Sequence, residues 1–360
     1  MGLAGAGQRL AARRAGRKEI VALVIPVLNP SYDPPYNLAL EEYVLRRLDP
    51  DEEYLILWQN RPAVIVGRFQ NTAEEVNQPY VDANGIAVVR RLSGGGAVYH
   101  DLGNLNFTFI VRREPGGFND FKRFTLPVLE TLRAFGVPAE RSSRNDLTIE
   151  GQKFSGNAQY VSGERLLHHG TILFDADLDA VAQVLRVQPD KIASHGVKSV
   201  RARVTNVRPY LPAEIGLNAF IQALSEQVGR HGGGLGPRYR LTEEDERGVG
   251  ALKAERYGRW EWNYGDSPAF ALKARRRFAQ GSVEIRLDVH QGYIRDGRIY
   301  GDFLGSRDIR ELEDALRGER FDIGDLRRVL SAKPVEEFFG GIGRDEILDL
   351  VFGVEPVPAD

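Results

Sequence analysis

Residues 91–103 read RLSGGGAVYHDLG, and the chemistry this run invites is the binding of an anion. Three consecutive glycines, Gly94, Gly95 and Gly96, leave a backbone without Cβ atoms, able to approach a ligand closely and to turn its amides toward negative charge. Arg90 and Arg91 stand on one side; His100 and Asp101 stand on the other. Two common phosphate loops do not fit. Ala97-Val98 follow where a P-loop needs Lys-Ser/Thr, and Tyr99 stands where a dinucleotide fingerprint needs its third glycine. Glycine repetition alone is also what a plain hairpin turn shows.

A second run, RNDLTIEGQKFSGNAQ at residues 144–159, has the pattern of two strands joined by a tight turn at Glu150-Gly151. Lys153 and Ser155 lie two apart on the returning strand, so they are expected on one face. A lysine held on a sheet can stabilise the charge that develops on phosphoryl oxygens when a carboxylate attacks the α-phosphate of ATP. Asp146 is the carboxylate placed to carry the magnesium that accompanies ATP. The plainer reading of Lys153 is a surface lysine on a hairpin. His168 and His169 are neighbours on another predicted strand and face opposite sides, so they do not share one metal. One is expected to line a cleft and the other to pack beneath it. The basic run KSVRARVTN at residues 198–206 has no interleaved aromatics and reads as a solvated or active-site rim, not a nucleic-acid surface.

The elements that must position these residues are legible in outline. A chain of 360 residues with 42% hydrophobic content buries a sizeable core, and its length suggests two domains. No apolar run approaches the roughly 18 residues of a membrane span, which points to a soluble, cytoplasmic protein. A net charge of -2 argues against a bulk nucleic-acid binder. No heptad seam is present, so a monomer is expected. Residues 1–19 form a basic leader, expected to be disordered.

A strand is expected over 20–28, then a turn at SYDPP and a helix capped by Asn37. Strands follow at 54–58, 63–66, 86–89 and 105–111, then a helix at 118–135 interrupted at Pro127 and stopped by Gly136. Helices are expected over 177–186, 217–230 and 241–257, the last started by Thr242 and Asp245, with a flexible connection at 231–237. Beyond residue 268 the pattern gives strands at 278–287, 293–294 and 299–304, then four helices near 308–316, 323–330, 335–339 and 345–351.

The strings SYDPPYNLALEE, LWQNRPAVIVGRFQN, RRLSGGGAVYHDLGNLNFTFI, RNDLTIEGQKFSGNAQ, HHGTILF, SVRARVTN and WEWNYGDSPAF occur in this order. In that order they resemble bacterial lipoate-protein ligase A over nearly the whole chain. The resemblance implies an α+β fold: a mixed-sheet catalytic domain of the biotin/lipoate protein ligase type at 20–264, plus a small C-terminal α+β domain at 268–353. It implies an enzyme that adenylates lipoic acid with ATP and Mg2+. The lipoyl group then passes to a lysine on lipoyl domains of 2-oxoacid dehydrogenase complexes or on the glycine cleavage H protein, with no nucleic acid or membrane partner.

By motif position, adenylate contacts fall on Arg91, on Gly94, Gly95, Gly96, Ala97, Val98 and Tyr99, on Asn145 and Asp146, and on the catalytic Lys153. Lipoate contacts fall on Lys153, Trp58, Ser93 and His168, and the metal on Asp146. Tyr160 stands where some ligases carry arginine. The related octanoyltransferases work through a cysteine thioester, and this chain has no cysteine. Biotin ligase carries a different glycine-arginine loop. A non-catalytic protein that only holds lipoyl-AMP or a lipoyl domain is a third alternative, and the complete Arg91, glycine and Lys153 set argues against it.

Overall fold

The computed structural model describes residues 23–70, 72–114, 117–142, 145–185, 203–264, 272–290, 293–321 and 323–352. The leader, most of the basic run at 198–206 and the expected interdomain connection at 265–268 lie outside the described residues.

Runs of β-branched and aromatic residues build a seven-stranded sheet. Its strands are β1 Val24–Val27, β2 Glu53–Trp58, β6 Asn104–Arg112, β7 Ala139–Arg141, β8 Asp146–Ile149, β9 Gln152–Ser162 and β10 Arg165–Leu173. They lie in the order β1-β2-β6-β10-β9-β8-β7, with β1 parallel to β2 and the remaining pairs antiparallel. A smaller sheet holds β3 Ala63–Val66, β4 Ala87–Arg90 and β5 Val98–His100 in the order β4-β3-β5. β2 and β3 are adjacent in sequence yet belong to different sheets, so residues 59–62 carry the chain from one layer to the other.

One face of the large sheet is covered by the amphipathic helices Lys122–Ala134 and Leu217–His231. Phe124, Val128, Leu132, Phe220 and Leu224 close there on Phe107, Phe109 and Phe154. Against the other face, helix Pro34–Arg47 and the small sheet contribute Leu38, Val44, Ile65 and Val89 to a cluster with Ile56 and Trp58. Both faces are buried, and β6 is buried at every residue but its last.

Three local expectations change. The first helix starts at Pro34, capped by Asp33, whose carboxylate accepts from the Tyr36 amide at 3.2 Å, with proline in the first turn, where its missing N–H is not needed. Asn37 is inside that helix and buried; its amide donates to the carbonyls of Ser31 and Gln59 and to Asn60. The next long helix begins at Lys122, because Asn119 is left-handed (φ 70°) and breaks the helical path. Residues 231–237 do not form a loose connection: Gly234 and Gly236 hydrogen-bond to Val24, satisfying the exposed edge of β1. The Glu150-Gly151 turn is as expected, with both residues at positive φ, and Thr242 and Asp245 form a capping box.

The C-terminal part is a three-stranded antiparallel meander, β11 Leu272–Phe278, β12 Gly281–His290 and β13 Tyr293–Gly301. It packs with helices Arg310–Leu316, Ile323–Ser331, Val335–Phe339 and Arg344–Phe352 around Phe303, Phe338 and Phe339. β11 is not legible from sequence, since in LKARRRF only Leu272 and Ala274 are buried and arginines carry the rest. The strand expected at 299–304 ends at Gly301; Phe303 leaves the sheet and stacks on Phe69 with ring centroids 4.8 Å apart. Arg68 pairs with Asp308 at 2.8 Å across the same junction. Among the described residues no helix is long and apolar enough to cross a membrane.

Candidate active site

Between the two sheets lies a cavity of about 120 Å³ that opens at a mouth on the surface. Lys153, 40% exposed, stands at the mouth; Leu38, Trp58, His100 and Asn106, all nearly inaccessible, close the deep end. The wall between them is Gly95, Gly96, Ala97 and Val98 on one side and Gly156, Asn157 and Ala158 on the other. The glycine run and the Lys153 hairpin therefore face each other across one cavity.

Lys153 reaches the cavity by an irregularity. Leu147 pairs with Ser155 and Thr148 with Lys153, so Phe154 is an extra residue and β9 bulges there. A bulge breaks strict alternation. Lys153 consequently lines the cavity with Gly156 and Asn157, while Ser155 is buried and bonded to the Asn157 amide, so the two do not share a face as expected. The Lys153 ammonium pairs with Asp146 at 2.8 Å, and the Lys153 carbonyl accepts from the Thr205 amide at 2.9 Å. That second bond fixes the described end of the basic run beside the mouth.

The two arginines separate. Arg90 turns away and donates to the carbonyls of Gly67, Gln70 and Trp262 and to Thr72, so the charge expected from it is spent on packing. Arg91 lines the cavity and shapes the loop from within: its guanidinium donates to the carbonyls of Ile65, Gly94 and Gly96 and to Ser93. Burial pushes each guanidinium down to about 10, so both remain charged at neutral pH. Gly95 sits at φ 91°, a conformation that favours glycine. Gly94 packs against Phe303 of the C-terminal part; a Cβ there would lie 2.2 Å from the Phe303 carbonyl oxygen. Gly94 and Tyr99 therefore do not line the cavity, because the C-terminal part occupies one side of the loop and Tyr99 points into the core beneath the small sheet.

The histidine pair divides as alternation requires, but in the order opposite to that expected from the motif. His169 lines the cavity; His168 is fully buried, with Phe124 stacked on it at 4.5 Å. Buried amides fix the His168 tautomer. Gln159 Oε1 accepts from the Asn119 amide, so Gln159 Nε2 faces His168 Nδ1 at 3.2 Å, and His168 Nε2–H donates to Asn157 Oδ1 at 3.3 Å. Asn157 in turn donates to the Asn145 carbonyl, and Asn145 donates to the Asn157 carbonyl. His168 thus holds Asn157 of β9, and through it Asn145 just before β8, and does not line the cavity.

Sequence reasoning missed Glu41, a buried acid on helix Pro34–Arg47. Its carboxylate accepts from Thr108 at 2.5 Å and lies 3.1 Å from His169 Nδ1, while His169 Nε2 lies 2.6 Å from Ser93 Oγ. Ser93 is buried behind the wall and meets the cavity through His169 and Arg91. The available signal was the pair Glu41-Glu42 inside the apolar stripe; Glu42 is consumed by Arg46, Arg256 and Tyr257.

Two histidines buried as neutral rings make the fold acid-sensitive. Burial lowers His100 to about 3 and His168 well below the ordinary histidine value. Between the ordinary value near 6.5 and the folded values, the unfolded chain binds more protons than the native one, so stability rises with pH in that window and falls as pH drops through it. Urea unfolding at pH 7, 6 and 5 should show this loss, and His168→Phe should show a shallower slope. Equal slopes in the two proteins would refute the assignment.

The sequence matches two families, the lipoyl protein ligase A/B catalytic domain over residues 33–229 and the bacterial lipoate protein ligase C-terminus over residues 267–351. The chain is 44% identical to lipoate-protein ligase LplJ of Bacillus subtilis, over 89% of this chain and 97% of that protein. It is 42% identical to lipoate-protein ligase 1 of Staphylococcus aureus, with the same coverage. Among solved structures, P. falciparum LipL1 in complex with lipoate superposes with a TM-score of 0.70 at 28% identity, covering 87% of this chain and 94% of that one. Lipoate-protein ligase A bound with ATP superposes with a TM-score of 0.60 at 28% identity, covering 68% of this chain and 98% of that one. An apolar cavity closed by a lysine and a glycine loop, in a two-part α+β chain so similar to these enzymes, leads to one assignment: the chain belongs to the lipoate-protein ligases.

Proposed function

We propose that this enzyme joins lipoate to ATP, releasing pyrophosphate, and then passes the lipoyl group to a lysine amine of a lipoyl domain. The observation that carries the reading is Lys153 at the mouth of a cavity whose deep end is lined by Trp58 and Leu38. The apolar tail enters, and its carboxylate is left beside the lysine and the Gly95–Val98 wall. A carboxylate oxygen attacks the α-phosphorus, the bond to the bridging oxygen of pyrophosphate breaks, and a mixed anhydride forms. The Lys153 ammonium stabilises the charge gathering on the phosphoryl oxygens, and Arg91 keeps the opposing wall in shape. In the second step the acceptor amine attacks the acyl carbonyl, loses a proton, and AMP leaves. Lys153 faces that carbonyl too, so one cation serves both steps.

The ATP-bound structure of a relative supports ATP as the co-substrate. Asp146 suits the magnesium that accompanies ATP: Mg2+ commonly takes one or two protein carboxylates together with substrate phosphates, and Asp146 is a half-exposed carboxylate beside Lys153. Magnesium there would neutralise phosphate charge. A solved archaeal relative is described with its E2 lipoyl domain, which supports lipoyl domains as acceptors. The proposed partners are the lipoyl domains of 2-oxoacid dehydrogenase complexes and the glycine cleavage H protein. Work in the cytoplasm, with residues 20–264 as the catalytic unit and 268–353 as the accessory one, completes the proposal.

The test is pyrophosphate release with ATP and magnesium in the presence of lipoate, followed by mass analysis of an added lipoyl domain. Lipoate-dependent release and a lipoylated domain are expected. Release without transfer would restrict the enzyme to the first step, and no lipoate-dependent release would defeat the reading.

A further inference from the structure

β9 and β10 part company at the cavity. Their ladder runs from the Arg165–Ser162 pair to the Gly170–Asn157 pair and goes no further, although β10 continues on β6 to Leu173 and β9 runs back along β8 to Gln152. The next opposed residues are Thr171 and Gly156, and a side chain closes the gap between them: the Gly156 amide donates to Thr171 Oγ1 at 3.2 Å, in place of a backbone carbonyl. That bond uses the hydroxyl as an acceptor. For its hydrogen, the one acceptor among the described residues is the Gly156 carbonyl at 3.5 Å. That separation lies beyond the roughly 2.5–3.0 Å of a good O–H···O bond. Thr171 is partly exposed and lines the cavity, where an entering group can reach it. Lys153 adjoins the same glycine, since a Cβ on Gly156 would lie 3.0 Å from Lys153 Nζ. A cation and a hydroxyl with a hydrogen to give therefore flank Gly156 on the cavity wall.

Resting on the ligase reading, we infer that Thr171 is a further catalytic residue, whose hydroxyl donates to the acyl oxygen and stabilises the oxyanion of the transfer step. The two steps load that oxygen in opposite directions. In adenylation the carboxylate oxygen that does not attack phosphorus loses its share of negative charge and becomes a neutral carbonyl, so a donor there gains nothing as the reaction advances. In transfer the acceptor amine adds to the carbonyl carbon and the C=O π pair moves onto the oxygen. That pair returns as the bond to the AMP oxygen breaks, and the nitrogen gives its proton to water. A donor at this oxygen binds more strongly in the transition state than in the ground state, which is the condition for a gain in rate. Lys153 meets phosphoryl charge in the first step and acyl charge in the second; Thr171 serves the second.

The experiment measures the two steps apart in the full chain, for the unmodified enzyme, Thr171→Val and Thr171→Ser. Pyrophosphate release from lipoate and ATP reports adenylation; single-turnover transfer from preformed lipoyl-AMP to a lipoyl domain reports the second step. Valine keeps the branched shape and removes the hydroxyl. In Thr171→Val, transfer should fall about a hundredfold and adenylation by no more than about tenfold, and Thr171→Ser should recover most of the transfer rate. A bridge to Gly156 with no part in the chemistry would act by displacing Lys153, which serves both steps. Equal losses in the two steps would therefore overturn the inference, and so would an undiminished transfer rate. Should Thr171→Val not fold, Thr171→Cys carries the same comparison, because a thiol fills the space and is a weak donor. An unmodified enzyme that releases no lipoate-dependent pyrophosphate and transfers nothing would instead defeat the ligase reading on which the inference stands.

Discussion

Lys153→Ala is expected to lower lipoate-dependent pyrophosphate release by at least about a hundredfold, the scale seen when one preorganised charge-stabilising donor is removed. The side chain is 40% exposed and its one charged partner among the described residues is the half-exposed Asp146, so the fold loses little when it is truncated. The thermal midpoint should move by no more than a few degrees. Purified variant assayed beside the unmodified enzyme, with a melting curve on each, checks both halves. Retained activity would remove Lys153 from the chemistry; a collapsed melting curve would mean that β9 depends on its ammonium. Transfer should fall as well, since the acyl carbonyl and the phosphoryl group are served by the same cation. Supplying preformed lipoyl-AMP and a lipoyl domain isolates that second step.

Arg91→Lys should be the more damaging change to the protein as a whole. The guanidinium donates to three backbone carbonyls and to Ser93 from a position with almost no solvent access. An ammonium on a flexible stem does not reproduce that planar fork. Carbonyls of Ile65, Gly94 and Gly96 would compete for fewer donors, and each buried acceptor left bare costs about 1–3 kcal/mol. A loss of roughly 3 kcal/mol in urea unfolding is expected, together with adenylation reduced as severely as in Lys153→Ala. The two variants separate by their stability: one keeps the fold and loses the reaction, the other loses both. A stable but inactive Arg91→Lys protein would instead make Arg91 a direct contact of the substrate and not a support for the wall.

The long elements were legible because their signals are local. The run at 105–111 reads as a strand from its composition, and β6 occupies it within a residue at each end. The Glu150-Gly151 turn and the Thr242-Asp245 capping box likewise depend on residues a few positions apart. Long-range pairing was not legible. Asp33 took the cap from Asn37 because Asn37 is needed to bridge Ser31, Gln59 and Asn60, a demand visible only when those segments meet. Arg90 and Arg91 look equivalent in a string; consecutive residues at the end of a strand point apart, and only Arg91 faces the cavity. His168 and His169 divide for the same reason, and the choice between them depends on which face of β10 meets Phe124 of helix Lys122–Ala134.

The residue types and spacings alone pointed to a glycine loop suited to an anion, a hairpin lysine and no cysteine, and together with the resemblance to lipoate-protein ligase A the missing cysteine argued against the thioester-forming relatives. Tertiary structure decided which of those residues meet. The β9 bulge turns Lys153 rather than Ser155 into the cavity. The small sheet lies over the large one so that Glu41 and Ser93, 52 positions apart, are joined through His169. The buried Asn37–Asn60–His100 relay holds the His100 ring at the deep end. Each of these depends on the desolvation of a polar group by segments distant in sequence, an energy that no local pattern encodes.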